Sequence, residues 1–443
     1  MTSPHLDARA RPPQPVPPKV VRAWGLWDFG QQAFNTVILT FVFSVYLTDA
    51  VASDPTRGAA VFSNAQAWAG LVMALLAPAL GSWGDRVRNS RLLLAITTAA
   101  TIACMALLWF TRPEDSFLVY GAVLVAAAGL FSELAGVFYN AILLRISTPA
   151  TYGRISGFAW GLGYLGGVLA LVITLFGFVL DDGLLGLPTE NMANMRAIAL
   201  LCAGWFLVFG LPLLVLAPKD LPREDEGRFN LAMAYRELAR RVAHLWRNER
   251  RLLHFFVAAA VYRDGLSAVF AFAGVLAASA YGFSTEEVIY FGLAANLIAG
   301  VSTWLAGRAD DRFGPRAVII TCLVAMVALG SVIAASGAPL VFWICGMAIA
   351  ALVGPVQSAS RSALARRSTA EQAGENFGLY ATSGRAISFL APALYTTLVR
   401  ATDNPRMGIL GILAVLLAGL LVFLPLRLPR TTPASPTTPH VTD

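Results

Sequence analysis

GSWGDR at residues 81–86 and GRADDR at residues 307–312 both read Gly, three residues, Asp-Arg, and each closes an apolar run. The repetition extends beyond the motif. NAILLRISTPATYGRISG from Asn140 aligns without gaps on RSALARRSTAEQAGENFG from Arg361, matching Leu143/Leu364, Arg145/Arg366, Ser147/Ser368, Thr148/Thr369, Gly153/Gly374 and Gly157/Gly378. A chain that carries the same loop motif and flanking segment twice is a duplicated fold, and the runs between the copies say which kind. Twelve apolar stretches fall at about 22-50, 58-82, 91-111, 116-144, 154-180, 197-217, 252-280, 286-306, 317-336, 339-361, 376-399 and 407-427. Each is near the ~20 residues that a helix needs to cross a bilayer. The expected fold is therefore an all-α membrane protein with twelve transmembrane helices in two pseudo-symmetric six-helix bundles. A parallel repeat of this kind places a substrate cavity between two rocking halves.

Composition agrees. Of 443 residues, 57% are hydrophobic and 13% charged, against about 25% charged in soluble domains, which excludes a water-soluble enzyme. The expected organisation is a disordered head over 1-21, a bundle over 22-217, a linker with an amphipathic helix over 218-251, a second bundle over 252-427 and a disordered tail over 428-443. The net charge of +7 does not point to nucleic acid, because the basic residues alternate between loops. Twenty-six Lys and Arg fall on one side of the twelve runs, and Arg57, Arg112, Arg196, Arg400 and Arg406 on the other. That asymmetry puts both termini in the cytoplasm of a multi-pass protein, expected in the plasma (inner) membrane. The Pro-rich head leads into a retained first span, since no small-residue cleavage site follows it. The four cysteines and four histidines lack metal-ligand or triad spacing, so no metal, cofactor or catalytic residue is expected. No Walker A motif appears, which leaves ATP aside as a driver.

An ionisable side chain within a span costs about 2.5–3.5 kcal/mol on insertion scales and is a functional candidate by default. Asp28, Glu133 and Asp264, with Arg263 and Arg385, form the expected intramembrane set. On a helix, Asp28, Gln31, Gln32 and Asn35 share one stripe, which should face a central cavity. Asp264 precedes Phe270 by six residues as Asp28 precedes Phe34, so the repeat places an acid at equivalent points. Glu133 has no charged neighbour on its own helix, which suits it to bind and release a proton; the alternative is a structural bridge to Arg385 or Arg263. Arg385 can hold a substrate carboxylate bidentately while an aspartate takes the amine, or it neutralises Asp28 or Glu133. Trp160 and Tyr164, one turn apart, offer aromatic cavity surface. Trp24 and Trp27, with Trp68 and Trp83, read as interface anchors. Glycines 153, 157, 161, 163, 166 and 167 give small-xxx-small spacings for close helix contact.

The signature loops read as a latch. Asp85 and Asp311 can act on the positive amino end of the next helix, while Arg86 and Arg312 reach the opposing bundle. Gly81 and Gly307 belong to the same motif, and Arg145, Arg154, Arg361 and Arg366 lie on the same membrane face and complete it.

These motifs resemble the major facilitator superfamily, whose signature after spans 2 and 8 is Gly-x-x-x-Asp-Arg followed by basic residues. Arg88 stands where a glycine is usual in the first copy; the second, Gly307 to Arg316, is the closer match. WGLWDFGQQAFNTVILTFVFSVYL, FYNAILL, RISGFAWGLGYLGG, YRDG, GPVQSASRSALARR and FGLYATSGRAISFLAP are similar, in order, to the branch of the autophagy-related vacuolar amino-acid effluxer and its bacterial relatives. The resemblance implies that spans 1, 4, 7 and 10 line the pathway, hence Asp28, Glu133, Asp264 and Gln357, with Asn140 placed beside them. It also implies a secondary transporter of amino acids or similar zwitterions working by alternating access. Protons as coupling ions, membrane lipids and a monomeric state are the expected partners and form. A multidrug antiporter of the same fold and a non-transporting receptor or scaffold are the other readings that the residues permit.

Overall fold

The computed structural model describes residues 17–87, 89–180, 184–218 and 231–427. Most of the expected head, the expected tail and the start of the linker fall outside the described residues. The described part contains no strand. In chain order it comprises α1 (Pro18–Val51), α2 (Pro55–Val87), α3 (Ser90–Phe110), α4 (Asp115–Ile146), α5 (Tyr152–Val179), α6 (Glu190–Leu216), the linker helix α7 (Leu231–Asn248), α8 (Arg250–Tyr281), α9 (Thr285–Phe313), α10 (Pro315–Ala335), α11 (Pro339–Ala365), α12 (Ala373–Ile387), α13 (Leu390–Thr402) and α14 (Pro405–Phe423). Among these, eleven are long and apolar enough to cross a membrane. The expected eleventh span is the exception. It is split at Ser388 and Phe389 into α12 and α13, so neither part spans alone.

Local chemistry accounts for the helix ends. Pro18, Pro315 and Pro339 open α1, α10 and α11, where a missing N–H costs no hydrogen bond and the fixed φ suits a first turn. Ser284 starts α9 with a reciprocal capping box to Glu287, which satisfies two of the turn's free N–H groups. The last basic residue of each signature copy closes the end of its own bundle. Arg91 donates to the carbonyls of Leu214 and Val215 in the last turn of α6, and Arg316 to those of Leu426 and Leu424 just after α14. Cations there also complement the negative helix ends.

Two apolar cores form, one almost wholly from residues 20–217 and one mainly from residues 245–426. Met73, Ala77, Leu134, Val137 and Ala141 of the first half pack into the second core. The halves meet along two crossings, α5 on α9 and α2 on α12, related by the repeat. A Cβ added at Gly81 would run into the Gly374 carbonyl, and one added at Gly307 into that of Gly153; only glycine lets these backbones approach so closely. On α5, Gly153, Gly157 and Gly161 face α9, whereas Gly163, Gly166 and Gly167 face α1, so all six serve packing. Pro78 within α2 frees the Ala74 carbonyl, which accepts a hydrogen bond at 3.3 Å from Thr382 of α12.

The linker helix touches both halves. Tyr235 donates to the Leu75 carbonyl of α2 at 2.6 Å, and Arg241 lies 2.9 Å from Glu249 and 3.6 Å from Glu375 of α12.

Candidate functional site

The signature aspartates act across the molecule. Asp85 accepts the N–H groups of Gly374 and Glu375 at 2.9 and 2.8 Å, and Asp311 those of Gly153 and Arg154 at 2.7 and 3.1 Å. These N–H groups belong to the first turns of α12 and α5, which have no partners within their own helices and sit at a positive dipole end. The expected partner, the next helix of the same half, is therefore corrected to a helix of the opposite half; the glycine crossings bring it within reach. Arg366 reinforces one side, 2.7 Å from Asp310 and 3.4 Å from Asp311, and Ser362 also donates to Asp310. Asp310 escaped the sequence reading; the first copy has Gly84 there. Arg312 does not cross over, since its guanidinium lies over its neighbour Phe313. The side chain of Arg86 is outside the described residues. Arg154 contributes its N–H while its side chain is exposed, and Arg145 acts electrostatically on Asp85.

Above this latch end lies a cavity of about 410 Å³ between the halves. Asp28, Gln31, Gln32 and Asn35 all line it, as their shared stripe predicts, together with Glu133, Asn140, Trp160, Asp264, Gln357 and Arg385. Gln31 donates to Ser132 of α4 at 2.7 Å, and Asn35 links back to Gln31 and Gln32. Tyr164 is not in the wall; it packs toward Gly300, Gly354 and Phe270 where α5 meets the second half.

Arg361 is the largest departure from expectation. It bridges halves, as a latch residue should, but from the cavity floor, making a third intramembrane base. Its guanidinium donates to the hydroxyl and carbonyl of Ser156 at 2.8 and 2.7 Å, to Asn140 at 3.2 Å and to Asp28 at 3.5 Å. Trp24, Tyr139 and Trp160 surround it at 4.6–5.7 Å, a geometry that favours a cation. Trp24 and Trp27 are thus buried, stacked on Tyr139, and not interface anchors. Tyr139 also donates to Asp28 at 3.1 Å. Asn140 and Arg361 are aligned positions of the repeat, so two equivalent residues meet near its axis.

Glu133 is ion-paired with Arg385 across the halves, Nε to Oε2 being 2.9 Å. Asn140 to Glu133 is seven residues of helix, so this pair stands roughly 10 Å above the floor. Asp264 does not mirror Asp28: it accepts the Ala391 N–H at 2.7 Å, capping α13 just past the break. Arg263 donates to the Tyr380 carbonyl at 3.0 Å and lies over its ring. Half-helix ends beside charged side chains at mid-membrane are how carriers build ligand sites.

Residues 147–435 match the family described as vacuole effluxer Atg22 like. This chain belongs to the Atg22-like family. It is an integral, multi-pass membrane transporter of the major facilitator type, not an enzyme. A relative in Bacillus subtilis (strain 168), the uncharacterized MFS-type transporter YxiO, is 23% identical over 407 residues, covering 91% of this chain and 94% of its own. Among solved structures, the proton:xylose symporter XylE superposes with a TM-score of 0.70 at 15% identity, covering 92% of this chain and 95% of that one. A bacterial homologue of ferroportin in its outward-facing state gives 0.69 at 14%, covering 92% and 98%. The human organic anion transporter MFSD10 gives 0.70 at 16%, covering 93% and 100%. At these identities the Atg22-like chain shares their fold, and nothing about cargo follows.

Proposed function

We propose that this protein carries an amino acid or similar small zwitterion by alternating access, coupled to protons. The charge inventory of the cavity supports the reading. Three carboxylates (Asp28, Glu133, Asp264) and three guanidiniums (Arg263, Arg361, Arg385) line it. Asp28 pairs with Arg361 and Glu133 with Arg385. Arg263 and Asp264 remain, and because neighbours on a helix diverge by about 100° they do not face each other. An unmatched cation and anion in one cavity are complementary to a molecule carrying both charges: the carboxylate on Arg263, where a planar fork gives two hydrogen bonds, and the amine on the free oxygen of Asp264. This moves the carboxylate contact from Arg385 to Arg263. In this reading the contacts of Asp85 and Asp311 close the latch end of the pathway. The 26-to-5 partition of basic residues supports a cytoplasmic latch and cytoplasmic termini.

The test is a proteoliposome screen of labelled amino acids, peptides and cationic drugs, with and without an imposed pH gradient. Zwitterion uptake that the gradient drives is the expected result; movement of cationic drugs alone rejects the cargo assignment. Arg263→Gln removes one charge-assisted contact of about 1.5–3 kcal/mol and should raise KM for the cargo roughly ten- to a hundredfold, with the protein still folded. An unaltered KM would exclude Arg263 from the binding site. Glu133→Gln should abolish the response to the pH gradient while leaving exchange of cargo intact. Undiminished gradient dependence in that variant would reject Glu133 as the proton carrier.

A further inference from the structure

A second basic site lies outside the transport pathway. On the outer flank of the α5–α9 crossing, at the latch end, a groove of about 860 Å³ is lined by four arginines from three segments: Arg22 of α1, Arg154 of α5, and Arg308 and Arg312 of α9. All four are exposed, and among the described residues none forms an ion pair with a carboxylate. The one acid in the groove, Asp311, is already committed to the Gly153 and Arg154 N–H groups and to Arg366. Four like charges at close quarters repel one another unless an anion joins them. Planar guanidiniums are suited to bidentate contact with phosphoryl oxygens.

The remaining wall is apolar apart from Thr151 and includes Val21, Ile155, Phe158 and Trp304, with Arg308 lying over the Trp304 ring at 4.8 Å. Trp304 begins a strip of outward-facing apolar side chains on α9. Leu305, Val301, Ile298 and Leu297 are each between 38% and 53% exposed, and the strip leads away from the groove along the membrane-facing surface. A free anion has no use for such a strip; an acyl chain does. We propose that this groove binds the phosphoryl headgroup of an anionic phospholipid drawn from the leaflet at the latch end, its chains lying along α9. The bound lipid would bridge α1 and α5 of one half to α9 of the other, beside the Asp311 contact that holds the halves together.

The test is native mass spectrometry of the purified full chain with phosphatidylglycerol or phosphatidylcholine added at equal ratio. Phosphatidylglycerol should be retained in preference to phosphatidylcholine. A basic residue beside an anionic leaflet contributes about fivefold in binding, so Arg22→Gln with Arg308→Gln should weaken phosphatidylglycerol retention by roughly twentyfold. Arg247→Gln with Arg250→Gln, the same charge removed from the linker region, should leave it unchanged. Equal retention of the two lipids, or equal losses in the two double variants, would overturn the site. Displacement of the bound lipid by inorganic phosphate alone would overturn its assignment to a lipid.

Discussion

Arg361→Met is expected to be the most damaging single substitution in this chain, removing transport and lowering stability together. Its guanidinium has 5% of its side chain exposed and Asp28 has 10%, so the substitution leaves a buried carboxylate facing an apolar side chain. Breaking one partner of a buried pair costs about 3–5 kcal/mol, most of it the desolvated charge left behind. The hydrogen bonds to Ser156 and Asn140 go with it. Thermal unfolding in detergent should show the loss, and adding Asp28→Asn should recover part of it, because the orphaned charge is then gone. Transport should stay absent in both variants, since neither restores the link from α11 to α1, α4 and α5. A singly substituted protein as stable as the parent, or a double variant no more stable than the single one, would refute this account of the floor.

Gly81→Val should unfasten the latch without touching a charge. A Cβ at this position collides with the Gly374 carbonyl, so α2 and α12 must separate and Asp85 must release the first turn of α12. Overpacking costs roughly 1–3 kcal/mol, which multiplies the latch-open population by about five to a hundredfold if the open form relieves it. Ala365, near the latch end of α11 and 1% exposed, is a suitable reporter. In a background lacking the four native cysteines, Ala365→Cys should react with a membrane-impermeant maleimide from the latch side at least five times faster when Gly81→Val is present. Equal labelling rates would mean that the crossing is not what keeps this end shut.

The spans and their duplication were readable because a bilayer admits little besides long apolar helices, and a repeated loop motif survives as sequence. The polar stripe of Asp28, Gln31, Gln32 and Asn35 was readable because it depends only on helical period. What failed depends on partners. Asp85 and Asp311 carry no mark of the helix they cap, as that helix lies far off in the chain and is brought near by glycines. Tyr164 follows Trp160 by one turn, yet its ring is taken up by packing against Gly300, Gly354 and Phe270 of the second half and is not in the cavity wall. Two misses did leave signals. Pro392 in the apolar run 376-399 occupies the first turn of α13, where proline is favoured, and it marks the break before it. Arg361 aligns with Asn140, and placing Asn140 in the cavity already implied that Arg361 would stand opposite.

The cavity floor and the outer latch are two closures in series that share one strut. Ser156, which receives Arg361, and Gly153, which is gripped by Asp311, sit one turn apart on α5. For independent closures the odds of a leak would be the product of two small opening probabilities, and ions would almost never find both ajar. In the proposed alternating-access cycle a shared strut would couple the openings: the bilayer is protected while both hold, and loosening either one would weaken the other.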